Sequence, residues 1–253
     1  MDPDISVIIP VFNVQGYISK CIDSLLNQTF INWEAVIYDD GSTDNTVEKI
    51  LQYNDPRIKL IQSDINQGIG IARQQAFKYS SGNWIYILDG DDWIEKNTFE
   101  VMLSYTQEND MVIAGIENSY CLNKICDNQI SCLLSYCEYP CLGNHLIKRD
   151  VFIHSDLRKI EDLPSLLKMF SITRKIQYID TITYHYKQHC NSVIGKLNEQ
   201  ERLIYTGLGL IEAFEFNKQC MFLFKSWFKS IQKELENTEI EDLNALTILN
   251  YNI

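Results

Sequence analysis

The stretch YILDGDDW, residues 86–93, ends an apolar run with three carboxylates in four positions: Asp89, Asp91 and Asp92 around Gly90. Aspartate is a poor strand former, and like charges at this spacing repel. The cluster is either a solvated turn or half of a site that a cation completes. Hard carboxylate oxygens in a D-x-D spacing suit Mg2+ or Mn2+, ions that keep several waters and share a diphosphate. D-x-D alone is a common surface turn, so its neighbours must decide. A second acidic pair, Asp39 and Asp40, closes the run WEAVIYDD, and Asn13 follows a third run, ISVIIPVF. A helix cap at DDGST does not require Asp at the end of a buried strand, whereas a carboxylate there can accept hydrogen bonds from a base or ribose.

The elements that must position these groups alternate. ISVIIPVF, WEAVIYDD, IKLIQS, WIYIL and DMVIAGI read as buried strands by length and residue type. Between them lie helical patterns. GYISKCIDSLLNQ places Ile18, Ile22 and Leu25 on one face. Ser42 and Thr43 can cap a helix through Val47, Ile50 and Leu51. GIGIARQQAFKY opens on glycine, and NTFEVMLSYTQE opens on Asn97. The order predicts an α/β fold with a mostly parallel central sheet and helices on both faces. Ligands of such sheets bind beyond the carboxyl ends of the strands. Asn13, Asp39, Asp40 and the 89–92 cluster all sit there, so they should converge.

Further on, IEDLPSLLKMF reads as a helix start with Pro164 near its first position, and KIQYIDTITYHYKQ alternates as a strand. From Leu197 the chain reads helical, with Phe214, Met221, Phe224, Trp227, Phe228 and Ile231 on one face and Lys218, Lys225, Lys229 and Lys233 interspersed. Three regions are expected: 1–116 and 117–196 as two halves of one domain, and 197–253 as a helical C-terminal appendage.

Composition excludes several classes. The 253 residues are 45% hydrophobic and 22% charged, with a formal net charge of −12. Nucleic acid is not an expected partner, since phosphate backbones select basic surfaces. An acidic protein that handles anions must do so through a metal or a few placed cations. No run suits a signal peptide or a membrane-spanning helix, so a cytoplasmic location is expected. Five of eight cysteines fall between Cys121 and Cys141. Cys137, Cys141 and His145 share a spacing of four, but the paired short spacings of structural zinc are missing, and reduced thiols are the reading. GIGIAR follows the third strand rather than the first, and PVFN offers no glycine to a pyrophosphate, which argues against a dinucleotide-binding dehydrogenase. A nucleotidylyltransferase would need a Gly-rich, Arg-containing loop after the first strand, and PVFNVQG is not one.

SVIIPVFNVQGYISKCIDSLLNQTF, WEAVIYDDGSTDNT, NQGIGIARQQAF and YILDGDDW together resemble the nucleotide-binding half of glycosyltransferase family two, inverting enzymes with the GT-A fold. The resemblance runs from about residue 4 to 116, and GNHLIKRDVF, IEDLPSLL and YHYKQHCNSV extend it more loosely to about residue 194. It implies a nucleotide-sugar donor, most simply a UDP-sugar, Mn2+ or Mg2+, and a glycan or lipid-linked acceptor. Pro10, Val11 and Phe12 would line the base and ribose pocket, and Asp39 would read uracil or ribose. Asn66, Gly68 and Arg73 would border base and phosphates. Asp89 and Gly90 would meet ribose and diphosphate, Asp91 would be the principal metal ligand with Asp89 beside it, and Asp92 would support the site or meet the sugar. Arg73 also supplies the fixed cation that an acidic protein needs for a polyanion.

Inverting transfer needs a carboxylate opposite the leaving diphosphate. By the resemblance that base is Asp162, with Glu161 orienting the acceptor; as plain sequence the two are helix-capping acids before Pro164. His185 is a candidate metal or diphosphate contact, although alternation sets it opposite Tyr184 and Tyr186; His189 is a weaker one. The segment before ED is shorter than is usual in the family. A trimmed acceptor side motivates an alternative, a catalytically degenerate partner protein that binds nucleotide-sugar. The Lys/aromatic stretch 214–233 offers either packing on the domain or peripheral membrane contact with anionic lipid.

Overall fold

The computed structural model describes residues 2–117, 141–155, 157–187, 197–236 and 242–251. Within them the strands are β1 (Ile5–Val11), β2 (Trp33–Asp39), β3 (Ile58–Gln62), β4 (Trp84–Ile87), β5 (Trp93–Ile94), β6 (Met111–Ile116), β7 (His145–Lys148) and β8 (Ile176–His185). They form one sheet in the order β3-β2-β1-β4-β7-β6-β8-β5. The first four are parallel, as the alternating pattern predicts. The far half is mixed: β7 runs antiparallel to both β4 and β6, β8 runs parallel to β6, and β5 antiparallel to β8. DMVIAGI therefore does not lie beside WIYIL as the simple alternation suggests. The strand from NHLIK separates them.

The helices are α1 (Ile18–Leu26), α2 (Thr46–Ile50), α3 (Ile69–Lys78), α4 (Thr98–Leu103), α5 (Asp162–Ile172), α6 (Glu199–Phe216), α7 (Lys218–Glu236) and α8 (Leu243–Asn250). Every residue of β1 and β2 is buried, which explains why these strands read as unbroken apolar runs rather than alternating ones. Their pleat feeds two cores. Ile8, Val36, Ile85 and Ile87 face α3 residues Ala72 and Ala76 and α5 residues Leu163, Leu166 and Phe170. Val7, Ile9, Ala35 and Ile37 face Ile18, Cys21, Ile22 and Leu25 of α1 with Phe99 and Met102 of α4. Each such side chain contributes about 1.5–3 kcal/mol of burial, and the two cores fix the height at which every strand ends.

Some boundaries differ from the sequence reading. α2 starts at Thr46, not after Ser42, because Asp44 Oδ1 takes the backbone N–H and hydroxyl of Thr46. Residues 42 and 43 are used instead to join loops. α5 begins at Asp162, which makes Pro164 its third residue. α6 begins with a capping box, in which Asn198 and Glu201 bond reciprocally.

The C-terminal helices bear on the two readings of 214–233, packing on the domain or contact with lipid. Phe214, Phe224, Phe228 and Ile231 are buried in the same core as Leu166 and Phe170, so these four side chains pack on the protein. Lys218, Lys225, Lys229 and Lys233 are exposed. No helix among the described residues is long and apolar enough to cross a membrane. Cys21 and Cys141 are free thiols; Cys121 to Cys137 and His189 lie outside the described residues.

Candidate active site

The register sets the strand ends level. Val11 pairs with Asp39, and Asp39 with Gln62. Beside them, β4 hands over to the aspartate cluster. A Cβ on Gly90 would come within 2.6 Å of Val11 Cγ1 and 3.4 Å of the Pro10 carbonyl oxygen, so glycine lets this loop lie directly on the end of β1. Asp39 and Asp89–Asp92 thus flank Pro10 and Val11, the convergence the sequence predicts. Phe12, next along, is 44% exposed at the mouth.

Three loops are tied together by side chains. Asn13, at φ 54°, accepts from the backbone N–H of Thr43 (2.8 Å) and Asp44 (3.3 Å), and its own N–H donates to Ser42 Oγ. Asp39 accepts from the Ser42 N–H at 3.2 Å. Asp40 turns the other way and accepts from the N–H groups of Gln67 (2.9 Å) and Gly68 (2.8 Å). Burial raises its pKa, and those two bonds oppose the rise. Asp40 is a loop clamp that the sequence does not distinguish from Asp39.

The centre of the site is Arg73 of α3, whose side chain is 1% exposed. Nη2 donates to Asp89 Oδ1 at 2.7 Å, and Nη1 donates to Glu161 Oε1 at 2.5 Å and to Asp162 Oδ1. The family resemblance implies that Arg73 borders base and phosphates; in the fold it is a buried strut between the strand-four acids and the start of α5. Three carboxylates around one guanidinium leave surplus negative charge, so a proton is retained. Burial pushes Glu161 up to about 8, with Arg73 opposing and Asp162 adding to the rise. Asp162 is raised as well, by burial first, while Arg73 and a hydrogen bond from Glu161 favour its charged form. Glu161 is enclosed, whereas the Asp162 side chain keeps 21% exposure. Burial and the neighbouring charges raise both members of the pair, and the more enclosed Glu161 is the one that favours keeping its proton. The residue before them, Ile160, has φ 54°, a costly conformation for a β-branched side chain.

Asp92 is buried too. Tyr184 Oη donates to its Oδ2 at 2.5 Å and the Lys187 N–H to its Oδ1 at 2.7 Å. Burial, then Asp89 and Asp91, push its pKa up to about 8. Asp92 therefore fastens the loop to β8. Asp91 is half-buried beside it. His185 is not brought to this cluster. Its ring stacks on Trp93 at 5.2 Å, and its two nitrogens meet Glu117 (2.5 Å) and Glu95 (2.7 Å). Alternation along β8 puts Tyr184 on the aspartates and His185 on the other face.

The loop before α5 is braced from the C-terminal helices, a connection without any signal in the sequence. Glu212 of α6 accepts from Ser155 Oγ at 2.6 Å and pairs with Lys168. Ser155 N–H donates to Ser165 Oγ, whose hydroxyl donates to the Glu161 carbonyl.

The protonated acids carry a pH signature. Glu161 in the folded chain holds a proton that the unfolded chain releases near its ordinary value of 4.5. Its contribution to stability is complete below that value and is lost as pH rises through about 8. Asp92 acts with the same sign. Unfolding free energy should therefore fall across this window. Glu161→Gln, which cannot titrate, should flatten the fall by up to about one proton. Denaturant titrations at a series of pH values read this directly, and an unchanged slope would show that Glu161 ionises normally.

Residues 6–130 match the model of Glycosyl transferase family 2. That match, with the curated glycosyltransferase relatives and the fold, places this half of the chain in the family of glycosyltransferases. It is 29% identical over 237 residues to the putative glycosyltransferase EpsH of Bacillus subtilis, covering 83% of this chain and 67% of that one. It is 43% identical over 108 residues to the UDP-Glc:alpha-D-GlcNAc-diphosphoundecaprenol beta-1,3-glucosyltransferase WfgD of Escherichia coli, 42% of each chain. The chain thus spans less than half the length of WfgD. The structure of S. aureus TarS residues 1–349 with UDP-GlcNAc superposes with a TM-score of 0.72 over 98% of this chain and 80% of that one, at 18% identity. That likeness establishes the GT-A fold.

Proposed function

We propose that the chain moves a sugar from a nucleotide-sugar, a UDP-sugar as in WfgD and the TarS complex, to an acceptor hydroxyl with inversion. The observation that carries this reading is the Arg73 strut, which joins the D-x-D loop and the ED pair into one site. A donor lying along Asp39, Pro10 and Asp89 would present its sugar towards Asp162. That carboxylate, charged and facing outward, takes the proton of the acceptor hydroxyl. The hydroxyl oxygen attacks the anomeric carbon as the bond to the diphosphate breaks, and a single displacement inverts the centre. Glu161 stays protonated and hydrogen-bonded to Asp162, which keeps the charge on the base. WfgD acts on a sugar diphosphoundecaprenol, and its likeness to this chain supports a lipid-linked glycan as the acceptor class.

The acids fit a divalent ion. Asp91 and Asp89 offer hard oxygens, and the pressure on Asp92 comes partly from their uncompensated charge. No preformed cluster of three or more His, Cys, Asp or Glu ligands exists among the described residues. Asp91 and Asp89 would hold Mg2+ or Mn2+, ions that proteins commonly bind through one or two carboxylates. When bound, the ion neutralises charge on the departing diphosphate. The test is a thermal-shift screen of nucleotide-sugars with and without Mn2+. The correct donor at a hundredfold its Kd should stabilise the fold by about 2.7 kcal/mol, and Asp91→Ala should abolish the metal-dependent part. Equal shifts in chelator would remove Asp91 from the metal role.

A further inference from the structure

The donor is a polyanion, yet the site is walled by carboxylates, and Arg73 is committed to three of them. The segment leading into α5 supplies another cation. Arg158 lies across the loop that follows β3, where Nη2 donates to the Asn66 carbonyl at 3.2 Å and to Asn66 Oδ1 at 3.1 Å. The approach is close: a Cβ on Gly68, itself at φ 101°, would stand 2.2 Å from Arg158 Cγ. Glycine leaves the space that the arginine stem fills. Gly68 N–H in turn is held by Asp40, and the Arg158 charge offsets part of the effect of burial on Asp40. The side chain is exposed, and a guanidinium has five N–H donors in a fixed fork. Its bonds to Asn66 use one nitrogen.

We propose that Arg158 is a donor-binding residue, donating to an oxygen at the nucleoside end of the nucleotide, a base carbonyl or the α-phosphate. This rests on the donor-binding reading above. The nucleoside end follows from strand order. Arg158 lies over the loops after β2 and β3, whereas Asp91 follows β4, with β1 between β2 and β4. At about 4.8 Å per strand the two positions are on the order of 10 Å apart, close to the reach of a nucleoside diphosphate. The same segment continues through Ile160 to Asp162, so a donor held by Arg158 also fixes the base.

The experiment is calorimetric titration of the full chain and of Arg158→Ala and Arg158→Gln with UDP, UMP and uridine. Arg158→Ala should weaken UDP and UMP alike, by about tenfold or more, the loss expected for a charged hydrogen bond, and Arg158→Gln should lie between. A parallel loss for uridine assigns the contact to the base, and an unchanged uridine affinity assigns it to the α-phosphate. Unfolding midpoints without nucleotide check that the variants fold. UMP affinity unchanged in both variants would overturn the assignment, whether or not UDP weakens. If the wild type binds neither UDP nor UMP, the donor-binding reading itself fails. If it binds both and the variants match it, only the role of Arg158 is lost.

Discussion

Asp162→Asn should lower turnover by roughly 10²- to 10⁴-fold, the usual worth of a general base, while donor affinity stays at the wild-type level. The amide keeps the size of the carboxylate and an oxygen for Arg73 Nη1, so the strut survives. What it loses is the ability to take a proton. The separation matters because Asp162 has two functions in this fold: it is one arm of the Arg73 cluster and the outward-facing charge of the pair. A purely structural role would lower stability and donor binding together. A base role lowers kcat alone, and it removes the acid limb of the pH–rate profile, the limb reporting the raised ionisation of the Glu161–Asp162 pair. Glu161→Gln should retain far more activity than Asp162→Asn, since a glutamine can still donate to Asp162 as the protonated acid does. Near-wild-type turnover of Asp162→Asn would sink the base assignment.

The parallel half of the sheet was legible because its strands are buried on both faces and end in polar residues at one level. Pro10, Asp39 and Asp89 could be set side by side from that pattern alone. Three things were not legible, each for a physical reason. Strand β7 is short, four residues, and pairs antiparallel inside a run that otherwise alternates with helices, so local periodicity carries no trace of its place. The partners of Arg73 depend on a contact between residues 73 and 161–162, which only the folded α5 creates. A pattern of acids and one arginine reads equally as a phosphate site or as an internal ion cluster. Finally, the aromatic face of residues 214–233 has the same periodicity whether it meets lipid or Leu166 and Phe170. Amphipathicity fixes that a face is buried, not against what.

The strut gives the largest expected effect on stability. Arg73→Met should cost about 3–5 kcal/mol at pH 8, the loss measured when one partner of a buried ion pair is removed. Methionine fills much of the space but leaves the charges of Asp89 and Asp162 facing each other, beside the protonated Glu161, without a counter-charge. The cost must then depend on pH. At lower pH Asp162, raised further by the loss of its counter-charge, takes up a proton, so the variant should approach the wild type, whereas a packing defect would be the same at both values. Adding Asp162→Asn removes one of the stranded charges and should recover part of the loss at pH 8, a positive coupling in a double-mutant cycle. The outcome also separates two places for this arginine. If Arg73 met the donor phosphates, Arg73→Met would keep its stability and lose UDP affinity. A pH-independent loss, or none, with weakened UDP would return Arg73 to the donor and leave the D-x-D loop and the ED pair joined by something else.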